Sequence, residues 1–301
     1  MSWRSVIVGS GARLRYGQRR LVVEQAETVT VPLEDISVLI LESSEILLTS
    51  RLLAECAEAG VAVLTVGADH LPNGVLTPFL SHSRCLKVLE RQLAMDRPRK
   101  KRAWQRIVRQ KILNQAVCLD LCERPDAGLL RRLADSVRSG DPDNVESSAA
   151  QRYFSALFGP RFSRRRPSLV NAALNYGYAV LRAALGRSLA AYGFLPVLGI
   201  RHCNEQNAFN LADDWLEPYR PLVDLYVARH FADSGAEALS SSGKARLVSL
   251  LHHDVPVDGE TLSAMAAIEK SAASFGRYLE DGDPASLKLP GLLPLNMRRH
   301  E

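Results

Sequence analysis

The first 75 residues alternate between short apolar runs and turn-forming positions. β-Branched runs that are separated by Gly, Pro or charged residues predict β-strands. Five runs fit this pattern, at residues 5–8, 19–24, 28–31, 38–41 and 61–66. Between the last two runs the apolar spacing becomes 3.6 residues after Thr49 and Ser50, which predicts one helix that ends at Gly60.

A turn signal at residues 70–74 marks the predicted domain boundary, because beyond it the apolar period changes from two to 3.6 residues. Helices are predicted at residues 84–95, 99–123, 127–138, 145–158, 168–192, 212–232, 243–253 and 260–280. The predicted fold class is α+β: a β-rich N-terminal domain (1–75), a linker (76–83) and a larger all-α domain (84–283). Residues 284–301 contain three prolines and predict an extended C-terminal tail that is partly ordered at best.

The composition is that of an ordinary globular protein. The chain has 301 residues, of which 47% are hydrophobic and 24% are charged, enough for a sizeable core in one or two domains. No apolar run reaches the roughly 18 residues that a membrane span needs, and the first residues lack the pattern of a signal peptide. We therefore expect a cytoplasmic protein.

The cysteines agree with that expectation. Their number is odd and they form no CxxC pair. They are Cys56, Cys85, Cys118, Cys122 and Cys203. We expect buried thiols in a reducing compartment rather than zinc ligands or a disulfide framework.

The net charge of +5 is distributed unevenly along the chain. Residues 1–80 carry 6 basic and 9 acidic side chains, whereas residues 84–111 carry 11 basic and 2 acidic ones. A local excess of this size attracts nucleic acid, because each neutralised phosphate releases counterions. The alternative is a solvated helix face.

A second basic cluster, in the predicted loop 159–167, can bind phosphates bidentately or stay solvated. It consists of Arg161, Arg164, Arg165 and Arg166.

Two isolated residues are candidates for metal chemistry. Glu146 begins the predicted helix 145–158 on the same face as Tyr153 and Leu157, and a carboxylate on an apolar face requires a partner such as a metal ion. The alternative for Glu146 is a favourable position at the positive end of the helix dipole. His202 follows the turn that closes the predicted helix 168–192, where a histidine is more often structural than a ligand.

Three carboxylates, Asp213, Asp214 and Glu217, fall within one helical turn. Oxygen-rich clusters suit Mg²⁺ or Mn²⁺, the usual cations of phosphoryl chemistry. The alternative is an acidic capping box with Asp214 at the N-cap and Glu217 at N3. Pro218 and Pro221 make a continuous helix awkward, because proline removes backbone hydrogen bonds.

Several motifs together resemble the CRISPR-associated integrases that insert new spacers. They are Glu146-Ser-Ser-Ala-Ala-Gln-Arg-Tyr-Phe-Ser-Ala-Leu-Phe158, Asn171-Ala-Ala-Leu-Asn-Tyr-Gly-Tyr178, Gly199-Ile-Arg-His202 and Asp214-Trp-Leu-Glu217-Pro-Tyr-Arg220-Pro-Leu-Val-Asp224. Lys111-Ile-Leu-Asn-Gln115 and the opening Trp3-Arg-Ser-Val-Ile-Val resemble the type II branch of that family. The resemblance extends from about residue 2 to at least residue 280.

The resemblance implies a metal centre held by Glu146, His202 and Glu217, with Asp214 as an acidic neighbour and Mg²⁺ or Mn²⁺ as the cofactor. The family typically has Gly and Arg where this chain has Ser147 and Gln151, so no arginine role is expected at position 151. The implied reaction is a transesterification in which a DNA 3′-hydroxyl attacks a backbone phosphate of a CRISPR array.

The resemblance also implies partners: double-stranded DNA as the inserted fragment and as the leader–repeat target, a homodimer formed through the β-rich domain, and a small CRISPR-associated protein. From the charge pattern, the candidates for DNA contact are Arg84, Lys100, Lys101, Arg102, Lys111, Arg161, Arg164, Arg165 and Arg166. Two other hypotheses remain: a non-catalytic nucleic-acid-binding scaffold, and a metal-dependent DNA nuclease of broad specificity.

Overall fold

We describe the protein from a computed structural model, which covers residues 4–67, 72–76, 85–232, 236 and 238–298. The chain divides into two compact units, residues 1–81 with 299–301 and residues 82–298. Most of the predicted linker, together with Trp3 and Arg84, lies outside the described residues.

In its described part, the first unit contains two four-stranded sheets and one helix. The strands are β1 (Arg4–Val8), β2 (Ala12–Gly17), β3 (Arg20–Glu24), β4 (Thr28–Pro32), β5 (Ile36–Leu41), β6 (Ile46–Leu48), β7 (Ala62–Val66) and β8 (Pro72–Leu76), and the helix is α1 (Ser50–Glu58). The sheet orders are β1-β5-β7-β8 and β4-β3-β2-β6. All residues of β5 are buried, as expected for a central strand that pairs in parallel with β1 and β7.

Each of the five predicted runs corresponds to a strand, two of them starting one residue early, at Arg19 and Val61, and the predicted helix is confirmed with Thr49 as its N-cap. Gly60 has φ +70°, the left-handed conformation that favours glycine after a helix. Strand β2 was missed because it contains no β-branched residue, although its buried Ala12 and Leu14 alternate with the exposed Arg13 and Arg15, as in a half-buried strand.

The second unit is mostly helical, so the predicted fold class is confirmed. Its helices are α2 (Cys85–Leu93), α3 (Arg97–Leu121), α4 (Ala127–Ser136), α5 (Val145–Phe158), α6 (Leu169–Ala191), α7 (Asn210–Leu216), α8 (Arg220–His230), α9 (Ser241–Val248) and α10 (Ala264–Asp281). The two longest helices, α3 and α6, form its centre: α3 packs on α4, α5 and α8, and α6 packs on α7, α8, α9 and α10.

The predicted helix 212–232 is instead two helices, α7 and α8, joined by a 3-10 turn at Glu217–Tyr219. Pro218 lies in that turn and Pro221 in the first turn of α8, where the missing N–H groups cost least. The prolines therefore set the position of the break, and Glu217 lies at the break itself.

The predicted helix 260–280 begins four residues late, at Ala264. The residues before it form a β-hairpin of β9 (Asp254–Val257) and β10 (Glu260–Ser263). Asp258 and Gly259 make the turn with φ +53° and +78°, the conformation that an Asp-Gly hairpin favours.

Residues 284–298 correct the prediction of a loosely ordered tail. Leu287 and Leu292 are buried, and the backbone of the segment is hydrogen-bonded to the rest of the second unit. Gly291 N donates to Pro256 O at 2.7 Å, and Asp254 N donates to Asn296 O at 2.9 Å. After the 3-10 turn at Pro284–Ser286, the segment has no helical periodicity and its backbone pairs with neighbouring elements. Residues 299–301 lie outside the described part.

No helix in the described part of the chain is long and apolar enough to cross a membrane. All five cysteines are free thiols. The expectation that they are buried is correct for Cys56 and Cys118, whereas Cys122 is half-buried and Cys85 and Cys203 are exposed.

Candidate metal centre

Two of the predicted ligands, Glu146 and Glu217, converge on the ammonium group of Lys111. Lys111 Nζ lies 2.6 Å from Glu146 Oε1 and 2.5 Å from Glu217 Oε2. The two carboxylate oxygens are therefore at most about 5 Å apart. Lys111, one of the predicted DNA-contact residues, has a side chain that is 9% exposed and ion-paired inside the second unit.

Glu217 is buried and held by a second cation. Arg220 Nε donates to Glu217 Oε1 at 2.9 Å, while Oε2 has no hydrogen bond of normal geometry beyond the ion pair with Lys111. Burial opposes ionisation of Glu217, but the charges of Arg220 and Lys111 outweigh it and lower the pKa of Glu217 to about 2. Burial likewise works to lower the pKa of Lys111, but Glu217 and Glu146 raise it. Glu217 and Lys111 are therefore both charged near neutral pH.

Glu146 lies in the first turn of α5, as predicted, and its side chain is 26% exposed. The cap of this helix is Asp141, whose carboxylate accepts hydrogen bonds from Val145 N at 2.9 Å and Glu146 N at 3.1 Å. Asn144, directly before the helix, has φ +52° and no side-chain cap bond. The sequence pattern missed Asp141 because it lies four residues before the helix rather than one.

Asp214 corrects the capping-box hypothesis. It lies inside α7, is fully buried, and accepts hydrogen bonds from the loop that carries His202. The backbone N–H groups of Ile200, Arg201 and His202 donate to its two oxygens at 2.5, 3.1 and 3.1 Å. The carboxylate therefore fixes a neighbouring loop instead of capping its own helix.

The side chain of His202 is oriented by the same carboxylate. His202 Nδ1 lies 2.8 Å from Asp214 Oδ1, and this hydrogen bond raises the pKa of His202 against the opposing effect of burial. In the neutral ring, a proton on Nδ1 leaves the lone pair on Nε2, which is the tautomer that a metal ligand needs. The edge of Trp104 contacts the ring, with centroids 5.9 Å apart and planes at 90°.

The glutamate pair fits a divalent cation, since it already binds one positive charge and Glu217 Oε2 is buried with no other partner. His202, 42% exposed, offers a nitrogen donor. Within the described residues, however, no three His, Cys, Asp or Glu side chains are gathered closely enough to hold a metal ion. The predicted triad is thus assembled as a carboxylate pair and a separately oriented histidine.

Asp213 does not belong to this group. Arg182 Nε lies 2.7 Å from Asp213 Oδ1, and Asn207 Nδ2 donates to Oδ2 at 2.6 Å. The carboxylate of Asp213 therefore binds Arg182 and Asn207. Asp213, Asp214 and Glu217 lie within one helical turn but contact three different sets of residues.

A buried polar cluster lies behind Glu217. The guanidinium of Arg220 stacks over the ring of Tyr178 at 4.6 Å, and the Tyr178 hydroxyl donates to Asp224 Oδ1. Tyr153 O–H donates to Asp224 Oδ2 at 2.9 Å. Sequence reasoning gave Asp224 no role, although its spacing of four residues from Arg220 on one helix was a signal that could have found it.

An open cleft of about 440 Å³ borders the histidine. Trp104 and His202 line it together with four cationic side chains, namely Arg97, Lys100, Lys101 and Arg201. Lys100 Nζ also donates to Gly199 O at 3.3 Å. A cleft with this charge suits a phosphate backbone. Lys100 and Lys101 were predicted for such a role, whereas Arg201 was missed because it stands alone in the sequence.

The other candidates for DNA contact are placed as follows. Arg102 is half-buried on α3, while Arg161, Arg165 and Arg166 are exposed in the loop after α5. Arg164 differs from these three. Its guanidinium donates to Asn171 Oδ1 and Asn175 Oδ1, both at 2.6 Å, so it anchors the loop to α6.

Comparisons with known proteins identify the family. Residues 5–238 match the family model described as CRISPR associated protein Cas1. The chain is 46% identical to the CRISPR-associated endonuclease Cas1 of Neisseria meningitidis serogroup C, over the whole of both chains. It is similar to the structure of a casposase bound to an integration product, with 18% identity and a TM-score of 0.78 over 94% of this chain and 92% of that one. It is also similar to a chain of a Cas6-RT-Cas1–Cas2 complex, with 21% identity and a TM-score of 0.70 over 94% of this chain and 36% of that one. At these identities the structural matches show the fold, and the sequence matches show that the chain belongs to the Cas1 family of CRISPR-associated proteins.

Proposed function

We propose that this chain is a metal-dependent endonuclease and integrase that inserts short DNA fragments into a CRISPR array. The observation that carries the proposal is the convergence of the Glu146 and Glu217 carboxylates on one positive charge. The endonuclease Cas1 of Neisseria meningitidis and the casposase, by their names, support nuclease and integrase chemistry.

The proposed reaction is a transesterification. The 3′-hydroxyl oxygen of the fragment bonds to a target-strand phosphorus, the bond from that phosphorus to the target's 3′-oxygen breaks, and the attacking hydroxyl's proton is lost while the leaving oxygen gains one. A Mg²⁺ or Mn²⁺ ion bound by Glu146, Glu217 and His202 would supply Lewis-acid activation of the phosphoryl oxygen.

The other residues of the chain have supporting roles in this proposal. Asp214 holds the His202 ring in the tautomer that presents Nε2, and Arg220 holds Glu217 ionised and in place. The cleft beside His202 binds backbone phosphates of the fragment or the target. The exposed Arg161, Arg165 and Arg166 add contacts to duplex DNA.

We propose the same partners that the resemblance implies. The chain forms a homodimer through its β-rich domain, residues 1–75, and binds a small CRISPR-associated protein. The Cas6-RT-Cas1–Cas2 complex supports an assembly with a second Cas protein. Integration takes place in the cytoplasm, where the CRISPR array is located.

A strand-transfer assay tests the proposal. The chain and its partner protein are incubated with a labelled DNA fragment and a supercoiled leader–repeat plasmid in the presence of Mn²⁺ or Mg²⁺. We expect label to enter the plasmid with the wild type and transfer to fall by about a hundredfold or more with Glu217→Gln. Glu90→Gln, the same change at an exposed position of α2, is the control and should match the wild type.

The other hypotheses give different products in this assay. Degraded plasmid without joined label indicates a nuclease of broad specificity. DNA binding with no metal-dependent product indicates a scaffold. Equal transfer by the wild type and Glu217→Gln contradicts the metal role of Glu217.

A further inference from the structure

The ammonium of Lys111 occupies the oxygens that a cation would need. Arg220 already uses Glu217 Oε1, so Oε2 is the oxygen left for another cation. That oxygen is 2.5 Å from Lys111 Nζ, and the same nitrogen is 2.6 Å from Glu146 Oε1. A divalent ion cannot bind both carboxylates while Lys111 stays where it is.

Displacing Lys111 has a cost that the site itself does not offset. The side chains of Lys111 and Glu217 are 9% and 5% exposed, so the displaced ammonium would be buried without an anion. It would also lie near Arg220 and the incoming dication, which repel it. A new anion must therefore approach Lys111 when the cation enters.

DNA supplies such an anion. Trp104, which lines the cationic cleft, is seven residues before Lys111 on α3, so the two side chains project from the same face of that helix two turns apart. A phosphate backbone bound along the cleft brings negative charge toward this face.

We propose that Lys111 holds the place of the divalent cation between Glu146 and Glu217, and that cation binding transfers its ammonium to a backbone phosphate of the DNA. Metal and DNA then bind cooperatively. The phosphate removes the cost of burying the displaced ammonium without an anion, and the metal releases the ammonium from the carboxylates so that it can bind the phosphate. Before DNA arrives, the ion pair keeps the carboxylates together and the metal affinity low. This inference rests on the proposed function, since it assumes that Glu146 and Glu217 are metal ligands.

Binding of MnCl₂ tests the inference without measuring activity. Free Mn²⁺ is followed by electron paramagnetic resonance, with and without a short DNA duplex, for the wild type, Lys111→Gln and Glu217→Gln. Lys87→Gln, at an exposed position of α2, is the matched control. We expect Lys111→Gln to bind Mn²⁺ about tenfold more tightly than the wild type without DNA, because a competitor that occupies the site lowers apparent affinity.

The effect of DNA distinguishes competition from a simple change of charge. DNA should raise the Mn²⁺ affinity of the wild type and of Lys87→Gln by about tenfold, and that of Lys111→Gln by clearly less. Equal affinities of the wild type and Lys111→Gln without DNA overturn the inference, as does an undiminished DNA effect in Lys111→Gln. If Mn²⁺ binding is absent from the wild type or is unaffected by Glu217→Gln, the proposed metal centre fails and this inference fails with it.

A measurement on the unmodified chain covers the case in which Lys111→Gln does not fold. An amine-reactive reagent is applied with and without MnCl₂, and labelling of the peptide that contains Lys111 is quantified by mass spectrometry. Displacement by Mn²⁺ should increase labelling of Lys111 severalfold and leave labelling of the exposed Lys87 unchanged. Unchanged labelling of Lys111 at saturating Mn²⁺ overturns the inference.

Discussion

Asp224 shows how burial alters the chemistry of a single residue. Its carboxylate is 1% exposed and accepts hydrogen bonds from the hydroxyl groups of Tyr153 and Tyr178. Burial raises the pKa of Asp224 to about 6, although both hydroxyl groups favour the ionised form. The folded protein therefore binds the proton of Asp224 more tightly than the unfolded chain does.

The pH dependence of stability follows from this shift. The ordinary pKa of an aspartate is 3.8, so Asp224 stabilises the fold most below that pH, and this contribution is lost as the pH rises through about 6. The free energy of unfolding of the wild type relative to Asp224→Asn should therefore fall by about 2 kcal/mol between pH 4 and pH 7. Urea unfolding of both proteins at several pH values measures the difference. A difference that is constant with pH contradicts the shifted ionisation.

Lys111 shows the limit of charge counting at the residue scale. It belongs to a run with 11 basic side chains, and this charge pattern predicted DNA contact for Lys111 as well as for Lys100, Lys101 and Arg102. Arg97, Lys101 and Arg109 of α3 are exposed, whereas Lys111 is turned inward onto two glutamates. A count along the sequence cannot distinguish these two orientations without the partner residues.

At the scale of elements, the loop between α6 and α7 depends on the close approach of its backbone to Asp214. A Cβ atom on Gly199 would lie 2.2 Å from His202 O and 2.9 Å from Asp214 Oδ2. No side chain fits this position unless the loop moves. The glycine thus allows the loop to close over the carboxylate that orients His202.

Gly199→Ala should lower the free energy of unfolding by about 1–3 kcal/mol, because the backbone must shift to remove the clash. Gly128→Ala is the control: its Cβ meets only Arg132 Nη1 at 3.8 Å, and alanine in the helix α4 should stabilise by about 0.5–1 kcal/mol. Thermal unfolding of both variants checks the prediction. A melting temperature of Gly199→Ala equal to that of the wild type would show that the loop accommodates a side chain without cost.

At the scale of the whole molecule, the C-terminal segment connects elements that are distant in the sequence. Asn114 Nδ2 donates to Pro218 O at 2.7 Å and to Pro290 O at 2.9 Å. The amide therefore links α3, the turn that carries Glu217 and the C-terminal segment. Ser271 and Ser274 of α10 bind the backbone of Lys288 on the other side.

Truncation after Ser286 should lower the free energy of unfolding by about 3 kcal/mol or more, because it removes the buried Leu287 and Leu292. It should also reduce strand transfer, since the turn with Glu217 loses its support. A chain that ends at Arg298 is the control and should match the full chain. Urea unfolding and the strand-transfer assay measure both effects. Unchanged stability after the longer truncation would contradict a structural role of the segment.

The sequence by itself determined the two-part fold class, the main strands and helices, and the candidate residues Glu146, His202 and Glu217. Apolar periodicity reports which face of an element is buried, and this information is local. The motifs identified the family because their residues and spacings are specific in combination. Pro218 and Pro221 indicated strain within the predicted helix 212–232, and the break of that helix lies at Glu217–Tyr219.

Only the tertiary structure decided what these residues contact. The sequence left open whether Asp214 caps its own helix, and folding placed the loop 200–202 on its carboxylate instead. Lys111 lies 35 residues from Glu146 and 106 from Glu217 in the sequence, and only the packing of α3 against α5 and the turn after α7 joins them. Which charges neutralise each other depends on distances across the fold, and periodicity along one chain segment carries no information about those distances.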